Sequence, residues 1–112
     1  MLEIRFRRDS RNRLSSVFST GHAGQGEPGE DIACAAVSAL LQAAWAGLTD
    51  VAHVTVTGHR RTGDLLMQWP QEARDRADVH AIVATAELAI EQIAKQYGGA
   101  VRCVREHEAE RT

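Results

Sequence analysis

The chain has 112 residues, of which 44% are hydrophobic and 25% are charged. This balance is typical of a soluble globular protein and not of an intrinsically disordered one. The length is that of one domain, so we predict a single domain over residues 1–112. The net charge of −2 and the aromatic content of 4% argue against a basic nucleic-acid-binding surface and against a base-stacking platform.

The N-terminal segment predicts a β-hairpin. Leu2, Ile4 and Phe6 alternate with charged residues, the pattern of a half-buried strand, and this segment lacks the apolar core of a signal peptide. Turn-forming residues follow at 9–12, and Leu14–Thr20 is predicted to pair back as the second strand.

A glycine-rich loop and a long apolar helix come next. The loop carries Pro28 and four of the nine glycines, which predicts mobility. These glycines are Gly21, Gly24, Gly26 and Gly29. A helix is predicted over Glu30–Ala46, with acidic residues in its first turn and Gly47 at its end. Because it is apolar nearly all round, we expect it to be the central buried helix; it is short and alanine-rich for a membrane span.

The second half of the chain predicts two further strands, a helix and a last strand. The strands are Val51–Thr57 and Leu65–Trp69, with a polar turn at 58–63 between them. The helix begins between residues 71 and 78 and ends at Tyr97, and Val101–Arg105 forms the last strand before a frayed tail at 106–112. The order β-β-α-β-β-α-β predicts an α+β fold, a mainly antiparallel sheet with two long helices packed on it.

Cys34 and His22 are the candidate catalytic residues. Cys34 lies near the start of the first predicted helix, where unpaired N–H groups and the helix dipole favour a thiolate. His22 lies twelve residues earlier, across the glycine loop, and an imidazole beside a thiolate can act as acid and base. Backbone N–H groups at the helix start could also hold an oxyanion. From the residues alone, a buried structural cysteine and a histidine in a simple turn are the alternatives.

The segment that carries these residues resembles a known family. Gly-His-Ala at 21–23 and Gly-Glu-Asp-Ile-Ala-Cys-Ala-Ala-Val-Ser at 29–38 are similar to the motifs of the ribosomal-processing cysteine protease family, Prp. The resemblance implies that Cys34 and His22 are catalytic. It further implies a bacterial peptidase that removes a short N-terminal extension from the large-subunit ribosomal protein numbered twenty-seven, and a homodimer.

Asp31 and Ser38 are supporting candidates, each one helical turn from Cys34. Asp31 could orient His22 or could simply cap the helix, where its charge would oppose thiol ionisation. Ser38 could hydrogen-bond the catalytic pair, or its hydroxyl could bond back to the carbonyl of Cys34. Three aromatic residues could line a substrate pocket, although core packing is the alternative for each: Phe18, Trp45 and Trp69.

Other polar features are interpreted as structural. Cys103 is expected to lie in the core, and the histidines outside the motif show no ligand spacing, so no metal or cofactor is expected. Five arginines are predicted to form a solvated sheet edge: Arg5, Arg7, Arg8, Arg11 and Arg13. Their alternative role is docking to ribosomal RNA in a non-catalytic ribosome-associated module, and a redox-responsive thiol at Cys34 is a third hypothesis. We expect a cytoplasmic protein with reduced thiols, without membrane attachment or direct nucleic-acid binding.

Overall fold

A computed structural model of the chain describes residues 1–21, 30–61 and 63–108, with the backbone alone at residues 30 and 31. The strands are β1 (Leu2–Arg8), β2 (Leu14–Thr20), β3 (Thr57–Arg61), β4 (Asp64–Gln68) and β5 (Val101–His107). The long helices are α1 (Glu30–Ala46) and α2 (Ala77–Gln96). The strands form one sheet in the order β3-β4-β2-β1-β5. Among the strand pairs in the described residues, β1 and β5 are parallel and the other three pairs are antiparallel. The predicted α+β class is therefore confirmed, with a mixed sheet.

One face of the sheet carries most of the core. In β1, Leu2, Ile4 and Phe6 are buried, while the intervening side chains are partly or fully exposed. Across the neighbouring strands, Ile4 is paired with Ser19 and with Cys103, so these side chains share its face. The helices cover this face, and the opposite face carries charged side chains together with Phe18.

Helix α1 has the predicted bounds, but it is not buried all round. Four residues of α1 at helical spacing are buried in the core, together with Leu48 in the turn that follows the helix. The four are Ala33, Val37, Leu41 and Ala44. Ile32, by contrast, is 65% exposed, because the helices form a single layer and nothing among the described residues covers the outer side of α1. Ile32–Val51 is long and apolar enough to cross a membrane by length and composition alone, and it is the one such stretch among the described residues; a core helix of a soluble domain passes the same test.

The prediction of a strand over Val51–Thr57 is wrong. The chain continues from α1 into a π-helical turn over Gly47–Val51, and Val51 is 73% exposed. His53, predicted to lie on this strand, adopts φ 56°, and β3 begins only at Thr57. The residues predicted as a polar turn therefore form most of an edge strand. The prediction of a frayed tail at 106–112 is wrong in part, because β5 continues to His107.

The arginine-rich hairpin does not lie at a sheet edge. Strand β1 is paired on both sides, with β2 and with β5, and its arginines have acidic partners. Arg5 and Arg7 donate to the Glu106 carboxylate at 3.1 and 2.9 Å. Arg8 donates to Glu87 on α2 at 2.9 Å. These ion pairs neutralise the charges of Arg5, Arg7 and Arg8, which the sequence alone predicted to be solvated.

Candidate active site

Cys34 lies at one end of a cleft between α1 and the sheet. It is the fifth residue of α1, just beyond the first turn, and its side chain is half-buried. The cleft has a volume of about 180 Å³, and Ser19, Gly21 and Leu65 from the facing strands also line it. The thiol therefore borders an open space and is not enclosed by hydrocarbon.

The walls of the cleft combine an apolar floor with polar rims. The floor is formed by Leu2, Val37, Leu41 and Leu65; the first three belong to the core, and Leu65 packs against it. On the α1 rim, Gln42 Nε2 donates a hydrogen bond of 2.9 Å to Ser38 Oγ. Such a cleft suits an apolar ligand that also carries hydrogen-bonding groups.

Of the two supporting candidates, the structure describes only Ser38 in full. Its side chain is exposed and lines the same cleft as Cys34. Its hydroxyl oxygen accepts the hydrogen bond from Gln42 Nε2, and among the described residues no hydrogen bond joins this hydroxyl to the carbonyl of Cys34. Asp31 lies in the first turn of α1, but its side chain lies outside the described part of the chain.

The glycine at the end of β2 brings the chain to the cleft. Gly21 adopts φ +93°, a conformation that side-chain-bearing residues rarely adopt. Its N–H donates to the carbonyl of Gly63 at 3.0 Å. The next residue in the sequence is His22, which lies outside the described residues, as do Gly24, Gly26 and Gly29.

The opposite rim comes from β3 and β4 and was missed by the sequence analysis. It contributes Arg60, Arg61 and Asp64. His59 and Asp64 interact through Nε2 and Oδ2 at 3.0 Å, whereas Asp64 Oδ1 is buried without a hydrogen-bond partner in the described structure. The 3.6-residue period could have placed Val37, Ser38 and Leu41 beside Cys34, but no local pattern connects α1 to this distant hairpin.

Trp69, Phe18 and Cys103 lie away from this cleft. Trp69 is 2% exposed and donates from Nε1 to the carbonyl of Leu14 at 2.9 Å, so it is a core residue. Phe18 lines a shallow depression on the opposite face of the sheet. Burial, and then the nearby Glu91 and Glu87, raise the pKa of the Cys103 thiol to about 11. Over the described ranges, no group of three or more His, Cys, Asp or Glu side chains could hold a metal ion.

The position of Cys34 favours nucleophilic chemistry. Helical side chains lean toward the N-terminal end of their helix, so the sulfur is directed toward the first turn of α1. The first four N–H groups of a helix have no partner within it, and they lie on that side. A thiol facing a cleft, with amide donors close by, can attack a carbonyl and stabilise the resulting oxyanion.

The comparisons with known proteins agree with this geometry. The family model of cysteine protease Prp matches residues 1–102, whereas a search of curated proteins found no match. Two structures of the Staphylococcus aureus ribosomal processing protease Prp are similar, one with a substrate peptide and one with a covalently linked product peptide. They have TM-scores of 0.83 and 0.82 and 20% identity, and each match covers 94% of this chain and 99% of the other. A Streptococcus mutans protein is 28% identical with a TM-score of 0.81, over 96% of both chains. The chain therefore belongs to the Prp family of cysteine proteases.

Proposed function

We propose that this protease removes a short N-terminal extension from the large-subunit ribosomal protein numbered twenty-seven, and that it acts in ribosome assembly in the cytoplasm. The observation that carries the proposal is the half-buried Cys34 at the end of a cleft with an apolar floor. Apolar side chains beside the scissile bond would pack on that floor. The similar S. aureus protein, a ribosomal processing protease crystallised with peptides, supports the same substrate class.

In the proposed reaction, Cys34 Sγ attacks the scissile carbonyl and the His22 imidazole accepts the thiol proton. The tetrahedral oxyanion is held by backbone N–H groups at the start of α1. His22 then donates the proton to the departing amine as the C–N bond breaks, which leaves a thioester on Cys34. Water hydrolyses the thioester, releasing the carboxylate product and restoring the thiol.

The proposal includes a homodimer, supported by an apolar groove between the two helices. Leu40 and Ala43 on α1 face Ile82 on α2 across this groove, and Leu88 on α2 is 56% exposed. Sedimentation equilibrium tests it. A dimer is expected for the wild type and a monomer for Ala43→Glu, whereas a monomeric wild type would exclude the dimer.

The substrate is tested with the extended ribosomal protein and three forms of the protease. Wild-type protein and a Cys103→Ala variant should release the N-terminal extension, and a Cys34→Ala variant should not. The Cys103 variant is the matched control, because it removes the other free thiol. Cleavage by Cys34→Ala would refute the thiol mechanism, whereas an active protease that leaves this ribosomal protein intact would refute only the substrate.

A further inference from the structure

The cleft extends along α1 beyond Cys34. Cys34, Ser38 and Gln42 all line it, and their spacing of four residues places them in one row on the helix. Trp45, three residues further along, continues this row. From Cys34 to Trp45 the helix rises about 16 Å, which is the length of about five residues of an extended peptide.

Arg60 lies at this far end of the cleft. In the sheet, Arg60 is paired with Leu65, and Leu65 with Ser19, so the three side chains share the face that α1 covers. The Arg60 guanidinium carbon lies 4.6 Å from the centre of the Trp45 ring. A cation over an indole face is attracted to it, so Trp45 holds the guanidinium at the rim of the cleft.

Within the described residues, the donors of this guanidinium have no hydrogen-bond partner and can bind a ligand. Asp64, the carboxylate that lines the cleft, is paired with His59 instead. Among the described residues, no carboxylate forms an ion pair with Arg60, and its charge is stabilised by the Trp45 ring. A guanidinium presents N–H groups in a planar fork that matches the two oxygens of a carboxylate.

We propose that Arg60 is a specificity residue of this protease. It binds a side-chain carboxylate of the peptide substrate about five residues from the scissile bond, and Trp45 acts as its positioning residue. The inference rests on the proposed site at Cys34. It predicts that glutamate is preferred at that position, that glutamine is accepted less well and that lysine is disfavoured by charge repulsion.

The test measures kcat/KM for peptides that carry glutamate, glutamine, leucine or lysine at single positions, three to six residues on either side of the scissile bond. With wild-type enzyme, one position should favour glutamate over leucine by up to about five-fold, the range of an exposed ion pair. Arg60→Gln should bring this ratio to about one, and Arg60→Lys should leave it in between. Trp45→Leu should weaken the preference, and Trp45→Phe should retain more of it.

The matched control is Arg11→Gln, which removes the same charge from an exposed residue of the turn between β1 and β2 that does not line the cleft. It should preserve the ratio, and an equal loss in both arginine variants would overturn the proposal in favour of a general charge effect. Peptide binding to Cys34→Ala, followed by fluorescence anisotropy, should show the same Arg60 dependence without turnover. Wild-type enzyme that cleaves every peptide without any Arg60-dependent position refutes this inference alone, whereas an enzyme that cleaves no peptide refutes the proposed function.

Discussion

Gly21→Ala tests how the end of β2 supports the cleft. A Cβ atom added at Gly21 would lie 2.3 Å from the carbonyl oxygen of Met1, a backbone atom that cannot rotate away. The φ of +93° would cost alanine about 1–2 kcal/mol, and relief of the overlap would cost about 1–3 kcal/mol more. We therefore expect the free energy of unfolding to fall by about 2–5 kcal/mol.

Chemical denaturation and peptide hydrolysis measure the two consequences. Because Gly21 lines the cleft, a backbone shift there should also lower kcat/KM, by about ten- to hundred-fold under conditions in which the variant is folded. Gly99→Ala is the matched control, since a Cβ atom at Gly99 would have no neighbour within 4 Å. A Gly21→Ala variant with wild-type stability and activity would refute this account of the strand end.

Three further predictions concern groups outside the cleft. Burial alone would raise the pKa of the Asp9 carboxyl, but hydrogen bonds from the Arg13 N–H and from two guanidinium groups outweigh burial and hold the pKa at about 2, below its ordinary 3.8. About 2 kcal/mol of stability should therefore be present above pH 4 and be lost as the pH falls toward 2, and Asp9→Asn should abolish this loss in acid denaturation curves. Glu87 is 2% exposed and paired with Arg8. Glu87→Ala should therefore lower the free energy of unfolding, measured by thermal denaturation, by about 3 kcal/mol, because it leaves a partly buried cation without its partner. With its thiol pKa at about 11, Cys103 in the Cys34→Ala variant should be alkylated by iodoacetamide at pH 8 at least about 100-fold more slowly than in the unfolded chain, as measured by mass spectrometry.

Each of these three predictions would be contradicted by one specific result. Asp9→Asn with an unchanged acid transition would show that other carboxylates dominate it. A Glu87→Ala variant as stable as the wild type would show that water compensates the Arg8 cation. Equal alkylation rates in folded and unfolded protein would show that the Cys103 thiol is accessible and readily ionised.

The elements that local pattern determines were predicted well, and those that depend on distant partners were not. Strand β2 and helix α1 have the predicted bounds, because strand alternation and the helix-start residues are local signals. The strand predicted at Val51 failed because β-branched residues favour strands only where a sheet packs against them, and here the chain extends the helix instead. Strand β3 was overlooked because an edge strand needs few apolar residues, and its sequence is mostly polar.

The same distinction applies to the site. Helical spacing places Ser38 on the same side of α1 as Cys34, and the structure confirms that both line one cleft. The contribution of Arg60 and Asp64 depends on sheet pairing across more than forty residues, which no short motif encodes. The role of His22 stays a prediction, since it lies outside the described residues.

The most direct test of the central claim, that Cys34 is the nucleophile, is to trap the covalent intermediate. Wild-type protein is mixed with the extended N-terminal peptide, quenched in acid and digested for mass spectrometry. We expect the acyl fragment of the substrate to be attached as a thioester to the fragment that contains Cys34, and to disappear as the carboxylate product accumulates. Continued cleavage with no adduct on Cys34, or with the adduct on Cys103, would contradict the account.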